Sequence, residues 1–164
     1  MPMELEPSLF SVLLRGLLLV NSSNARDAHW SERSSRAAPQ RGQALLMVQS
    51  ALRKPGVWEK VGRGKLPLMS APKTRKPYVD IIPLLIRITR ISPGHLDHDD
   101  GVNISAKHVR DGVADALGVD DRDGRISWRY AQRSCKDGEQ AALVEVFRRM
   151  VCPCCESEVA AFKS

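Results

Sequence analysis

Residues 79–130 read VDIIPLLIRITRISPGHLDHDDGVNISAKHVRDGVADALGVDDRDGRISWRY, and the succession of patterns in this stretch decides the fold. From Val79 to Ile91 the chain alternates like a strand. Ile82, Leu84, Ile86 and Ile88 share one face, while Arg87 and Thr89 point to the other. Pro83 predicts an edge position or a bulge near the start, and Ser92-Pro93-Gly94 ends the run. From Ser105 to Leu117 the period changes. Val109, Val113, Ala116 and Leu117 fall at i, i+4, i+7 and i+8, one stripe of a helix that Ser105 or Asn103 can cap and Gly118 can close. Ile126, Trp128 and Tyr130 then alternate with Ser127, Arg129 and Ala131, which restores the strand period.

On the C-terminal side, Ala142 to Phe147 predicts a further strand after a turn at Lys136-Asp137-Gly138. On the N-terminal side, Leu17 to Val20 predicts a short buried strand ending at Asn21-Ser22-Ser23-Asn24. Ala44, Met47, Val48 and Ala51 predict a helix over Gln43 to Arg53, with Pro39 as the break before it. Lys54 to Lys76, with Pro55, Gly56, Gly62, Gly64, Pro67 and Pro72, predicts a basic, mobile loop. The resulting order of strands and helices predicts an α/β or α+β fold, a small mixed sheet packed by two main helices. At 164 residues the chain is long enough for one such domain, expected over 1–150, followed by a cysteine-containing tail over 151–164.

Composition excludes several classes. With 43% hydrophobic and 27% charged residues, wholesale disorder is not expected, and aromatics at 5% leave the core to Leu, Ile, Val and Ala. The apolar run Leu9 to Val20 is broken by Arg15 and Gly16 and is too short to span a bilayer. Glu4 and Glu6 precede it where a secretory signal carries positive charge. The expectation is a soluble, cytoplasmic protein with no membrane partner.

The net charge of +6 is unevenly spread. Arg26 to Lys76 holds twelve Lys or Arg against three acids, while Asp97 to Asp123 holds eight Asp against Lys107, Arg110 and Arg122. A basic segment suits a phosphate backbone, with Arg26, Arg33, Arg36, Arg41, Lys73, Arg75 and Lys76 as candidate DNA contacts. An acidic segment suits a hard cation. Asp97, Asp99 and Asp100 follow the first strand of the opening stretch, and Asp120 and Asp121 follow its helix. The helix is about 18 Å long, so the two groups meet only if the next strand returns beside the first. If they meet, crowded carboxylates favour Mg²⁺ or Mn²⁺, which can polarise a phosphodiester, and Lys107 can stabilise the charge that develops. The rival readings are a solvated basic loop, an acidic turn, and a Lys107–Asp111 pair on the helix surface. Asp121 to Ile126 also imitates the middle of a calcium loop, but the first and twelfth ligand positions would fall on Val119 and Tyr130, which cannot serve.

The run Leu96-Asp-His-Asp-Asp-Gly-Val102, then Lys107 opening a helix, then Asp120-Asp121, resembles the RusA family of Holliday-junction resolvases, particularly its phage-type members. Asn24-Ala-Arg-Asp-Ala-His-Trp30 is similar to the family's N-terminal loop, and the resemblance covers most of 17–149. It implies a small α/β homodimer that binds branched DNA and cuts symmetrically opposed phosphodiester bonds with Mg²⁺. It implies Asp100, Asp121 and Lys107 as catalytic residues. The family's first carboxylate pair corresponds to Asp100 and His98 in one register, and to Asp97 and Asp99 if the register slips by one. His98 and Gly101, the latter at a position usually Asn, depart from the pattern and favour an alternative: a junction-binding protein of the same fold that does not cut.

Cys152-Pro153-Cys154-Cys155 resembles one knuckle of a zinc ribbon. A structural zinc needs four ligands and the sequence has no second knuckle, so zinc at Cys152 and Cys155 is not expected. A zinc-dependent interaction module is the remaining alternative.

Overall fold

The computed structural model of the chain describes residues 7–17, 19, 30–63, 79–96, 101–136, 138–151 and 158–160. It is a mixed α+β architecture, as expected. The strands are β1 (Phe10–Arg15), β2 (Leu84–Ser92), β3 (Ile126–Ser134), β4 (Ala141–Val151) and β5 (Glu158–Ala160). The helices are α1 (Trp30–Leu52), α2 (Trp58–Val61), α3 (Gly101–Ser105) and α4 (Lys107–Leu117). The main sheet runs β1-β4-β2-β3, and β5 pairs with β4 beyond this path. β2 and β3 are parallel, joined by a crossover through α3 and α4, while β4 is antiparallel to both β1 and β2.

The alternation read from the sequence builds one buried sheet face. Leu84, Ile86 and Ile88 are fully buried in the middle of the sheet, between Val144 and Val146 on one side and Trp128 and Tyr130 on the other. Phe10, Val12 and Leu14 complete the face on β1, and Ala44 and Val48 of α1 with Val109 and Val113 of α4 close over it. Arg87 lies on the opposite face, as its alternation predicts. There it makes two hydrogen bonds to Glu145, of 2.8 and 3.0 Å, and sits 5.4 Å from the Phe147 ring centre.

The differences from expectation have physical causes. The first described strand is Phe10–Arg15, ahead of the expected Leu17 to Val20, of which Leu18 and Val20 lie outside the described residues; β4 pairs with this earlier part of the apolar run and Gly16 turns out of it with φ 70°. The first long helix runs straight through Pro39. Pro39 is exposed, whereas Gln40, Ala44, Val48 and Ala51 are buried along one stripe, so packing holds the helix across a residue that lacks the backbone donor. Part of the expected loop, Trp58–Val61, is a helical turn with both named residues buried. Pro83 marks neither an edge nor a bulge. β2 lies between β3 and β4, and Pro83 precedes its first residue, where its carbonyl accepts from the Arg149 N–H at 2.9 Å. Neither Ser105 nor Asn103 caps α4. The chain is already helical over Gly101–Ser105, the Ser105 hydroxyl donates to the Val102 carbonyl, and Ala106 separates the two helices. Gly118 does close α4, in the left-handed region with φ 71°. β4 extends past Phe147 to Val151.

Among the described residues no helix is long and apolar enough to cross a membrane.

Candidate functional site

The helix-side face of β3 organises the acidic region. Trp128, Tyr130 and Gln132 are alternate residues and therefore project to the same side, about 7 Å apart. Each is partly buried and uses its polar end on a different segment. The Trp128 indole N–H donates to the Asp121 carbonyl at 2.9 Å. The Tyr130 hydroxyl lies 3.5 Å from the Arg110 guanidinium. The Gln132 side-chain amide accepts from the Leu96 N–H at 2.9 Å and donates to the Leu96 carbonyl at 2.8 Å. One strand face thus holds the turn after α4, the body of α4, and the residue that immediately precedes the run Asp97-His98-Asp99-Asp100. Trp128 and Tyr130 both pack against the core, and each also anchors a neighbouring element.

The other end of the same Leu96 segment is held from β2. Arg90 is buried, and its guanidinium donates to the Leu19 and Gly94 carbonyls and to the Ser92 hydroxyl. Burial, which disfavours the charged form, pushes its pKa below the ordinary guanidinium value.

The turn after α4 is built by its own aspartates. Asp120 accepts from the Arg122 N–H at 2.9 Å, and Asp123 accepts from the Arg125 N–H at 3.0 Å, both two residues on. Asp123 also binds the Arg125 guanidinium at 2.7 Å, and Arg125 reaches across to the Val79 carbonyl at 2.8 Å. The Arg125 hydrogen bond holds the Asp123 carboxyl below the usual carboxylate range. Asp120 and Asp123 thus serve as the acidic turn that the sequence offered as a rival reading.

Asp121 differs from both. Its carboxylate leaves the turn and meets Arg110 of α4 at 3.0 Å, with both side chains about a quarter exposed. Burial works against the charge on Arg110. The Tyr130 hydroxyl and the negative Asp121 and Asp111 outweigh it, and the guanidinium pKa lies above its ordinary value. The Tyr130 phenol is pushed up by burial, and Asp121 and Asp111 add to that push. The Arg110 Nε atom is buried and has no hydrogen-bond partner among the described residues. Lys107 is exposed at the first position of α4, one turn before Arg110. The Lys107–Asp111 pair weighed from the sequence does not form. His108, beside Lys107, is held below its ordinary pKa by burial, with Lys107 and Arg41 acting in the same direction.

The remaining predicted residues divide by location. Asp97, Asp99 and Asp100 lie outside the described residues, as do Arg26, Lys73, Arg75, Lys76 and the cysteines at 152, 154 and 155. Arg33, Arg36 and Arg41 belong to α1, with Arg36 and Arg41 exposed. Arg41 is held by Asp115 of α4 at 2.6 Å, a pairing that raises its pKa and that the charge count did not reveal. Among the described residues no group of three His, Cys, Asp or Glu side chains could hold a metal ion. Of the predicted ligands the structure describes Asp120 and Asp121, neighbours on one turn whose carboxylates meet the Arg122 N–H and the Arg110 guanidinium respectively.

Arg110, Gln132 and Arg90 are the residues organising this region that the sequence reading did not single out. Arg110 had a signal in principle, since it stands three positions after Lys107 on the same helix. Gln132 and Arg90 had none, because nothing in a local pattern marks which polar side chain reaches a distant carbonyl.

No protein-family model matches this chain, and no curated protein matches it.

Proposed function

We propose that this protein is a metal-dependent, structure-selective endonuclease that resolves branched DNA, such as a four-way junction, by phosphodiester hydrolysis. The supporting observation is the convergence on β3: Trp128, Tyr130 and Gln132 tie the Asp121 turn, α4 and Leu96 to one strand face. The acidic run begins at the next residue after Leu96, which is held on the strand that also anchors the Asp121 turn. Asp97, Asp99, Asp100, Asp120 and Asp121 are the candidate ligands for Mg²⁺ or Mn²⁺, with Asp100 and Asp121 as the catalytic pair. A divalent ion held there supplies positive charge against the phosphoryl oxygens and acidifies an attacking water. Lys107, exposed at the start of α4, stabilises charge on the phosphate. Arg33 and Arg36 of α1, with Arg26, Lys73, Arg75 and Lys76, grip the backbone. Arg41 contributes less, being committed to Asp115. A four-way junction presents two symmetrically opposed phosphodiester bonds, which suits a homodimer acting on cytoplasmic DNA.

The test is a labelled four-way junction incubated with the purified protein and Mg²⁺. Wild type should introduce opposed nicks. Asp121→Asn should lose cutting by about a hundredfold or more while still retarding the junction, because phosphate contacts supply most of the affinity. Undiminished cutting by Asp121→Asn refutes the assignment.

A junction-binding protein that does not cut is the second reading. The Arg110–Asp121 pair favours it, since a guanidinium already occupies the carboxylate. Retardation of the junction without nicks at any Mg²⁺ or Mn²⁺ concentration supports that reading over the first.

A further inference from the structure

β3 ends the main sheet: β2 pairs with one side of it, and among the described residues no strand pairs with the other. The two ends of the strand fix which backbone groups face that open side. The Arg125 carbonyl accepts from the Leu84 N–H at 2.8 Å, and the Cys135 N–H donates to the Ser92 carbonyl at 3.3 Å. Backbone groups alternate sides along a strand, so the odd-numbered residues of β3 turn theirs to β2. The even-numbered ones, Trp128, Tyr130, Gln132 and Ser134, turn their N–H and C=O groups to the open edge. Arg129 marks that edge, since its guanidinium lies 3.4 Å from the Trp128 carbonyl. On the face of β3 away from the helices, Arg129 and Arg133 are both exposed. The strand itself contains no acidic residue.

An open row of backbone donors and acceptors takes another extended chain, and the side chains beside it select which one. A second copy of this strand matches poorly. Antiparallel pairing of the two edges would bring Arg129 and Arg133 of both copies to one sheet face, with no acid among them. We infer that the β3 edge is a strand-addition site for an extended acidic segment of another protein, whose acids at alternate positions lie opposite Arg129 and Arg133. That segment pairs its backbone with Tyr130 and Gln132 and takes the Arg129 guanidinium away from the Trp128 carbonyl. The inference does not depend on the proposed cleavage. Charged side chains also guard edge strands against pairing, and that role alone predicts no ligand.

The probe is a short fluorescein-labelled peptide of alternating Glu and Val, titrated against the full chain by fluorescence anisotropy, with amide hydrogen exchange read at Tyr130 and Gln132. The peptide should bind and slow both amides. N-methylation of one alternate set of its own amides should cost about tenfold or more in affinity, and of the other set little, because only one set faces β3. The double substitution Arg129→Glu and Arg133→Glu should weaken binding about tenfold and let an alternating Lys and Val peptide bind instead. Both arginines are exposed, so the substitution leaves the core untouched. Binding that survives both methylations, or that leaves the two amides unchanged, overturns the inference in favour of a charged surface alone. Preference for a single-stranded oligonucleotide, with the same arginine dependence, overturns it in favour of nucleic acid. Protection of the two amides that rises with protein concentration, without peptide, assigns the edge to a second copy. Absence of peptide binding leaves the arginines as edge guards and overturns it as well.

Discussion

Asp121 and Asp123 stand two positions apart in one turn, yet they meet different arginines and do different work. Asp123 is structural. It closes the turn on Arg125, which is fastened to Val79, and is only 19% exposed. Folding lowers its pKa from the unfolded value of 3.8, so the folded state holds that proton more weakly than the unfolded chain. The stabilisation is complete above the unfolded value and fades as pH falls through the folded-state pKa. Asp123→Asn should therefore cost about 1–2 kcal/mol at pH 7, and the gap to wild type should narrow below pH 4. Urea unfolding at pH 7 and near pH 3 measures both; a cost that does not shrink on acidification rules out the ionised pair as its source. Asp121 faces the helix, not its own turn, and its substitution belongs to the cleavage assay. Local sequence makes the two residues look equivalent. Only the position of Arg110, brought over by α4, separates them.

At the level of elements, α1 and α4 meet at a glycine. A β-carbon built on Gly112 would lie 2.4 Å from the Arg41 carbonyl oxygen and 2.8 Å from the Ala44 β-carbon. The nearer atom is backbone and cannot rotate away, so the two helices touch there because residue 112 has no side chain. Alanine normally stabilises a helix interior relative to glycine by about 1 kcal/mol. Gly112→Ala should nevertheless lower stability, by about 1–3 kcal/mol, as the helices are forced apart. Equal or higher stability in urea would mean that α1 does not cross α4 at this point. The contact also explains how the exposed Arg41 side chain reaches Asp115: helices this close bring residue 41 within reach of residue 115. The same packing carries α1 through Pro39, a residue that local rules treat as a terminus.

Across the whole molecule, strand order sets where stability resides. β2 and β4 each have two sheet neighbours along the main path, whereas β1 and β3 form its edges. Amide hydrogen exchange should be slowest at Ile86, Ile88, Val144 and Val146, and faster along β1. β1 amides that outlast those of β2 would contradict this order.

The sequence by itself determined the mixed α+β class, the β2 and β3 strands, the buried stripe of α4 and its glycine stop. These follow from periods of two and 3.6, which are local properties of the backbone. It also separated the basic segment from the acidic one. It missed the continuity of α1 through Pro39, the short helix at Trp58–Val61 and the interior position of β2. Tertiary structure alone decided that β2 lies between the consecutive strands β3 and β4, and that three β3 side chains hold three separate segments. It also decided that Asp121 belongs to Arg110 and Arg41 to Asp115. Such pairings depend on which surfaces meet across the core, and no local pattern encodes a partner far away in the chain.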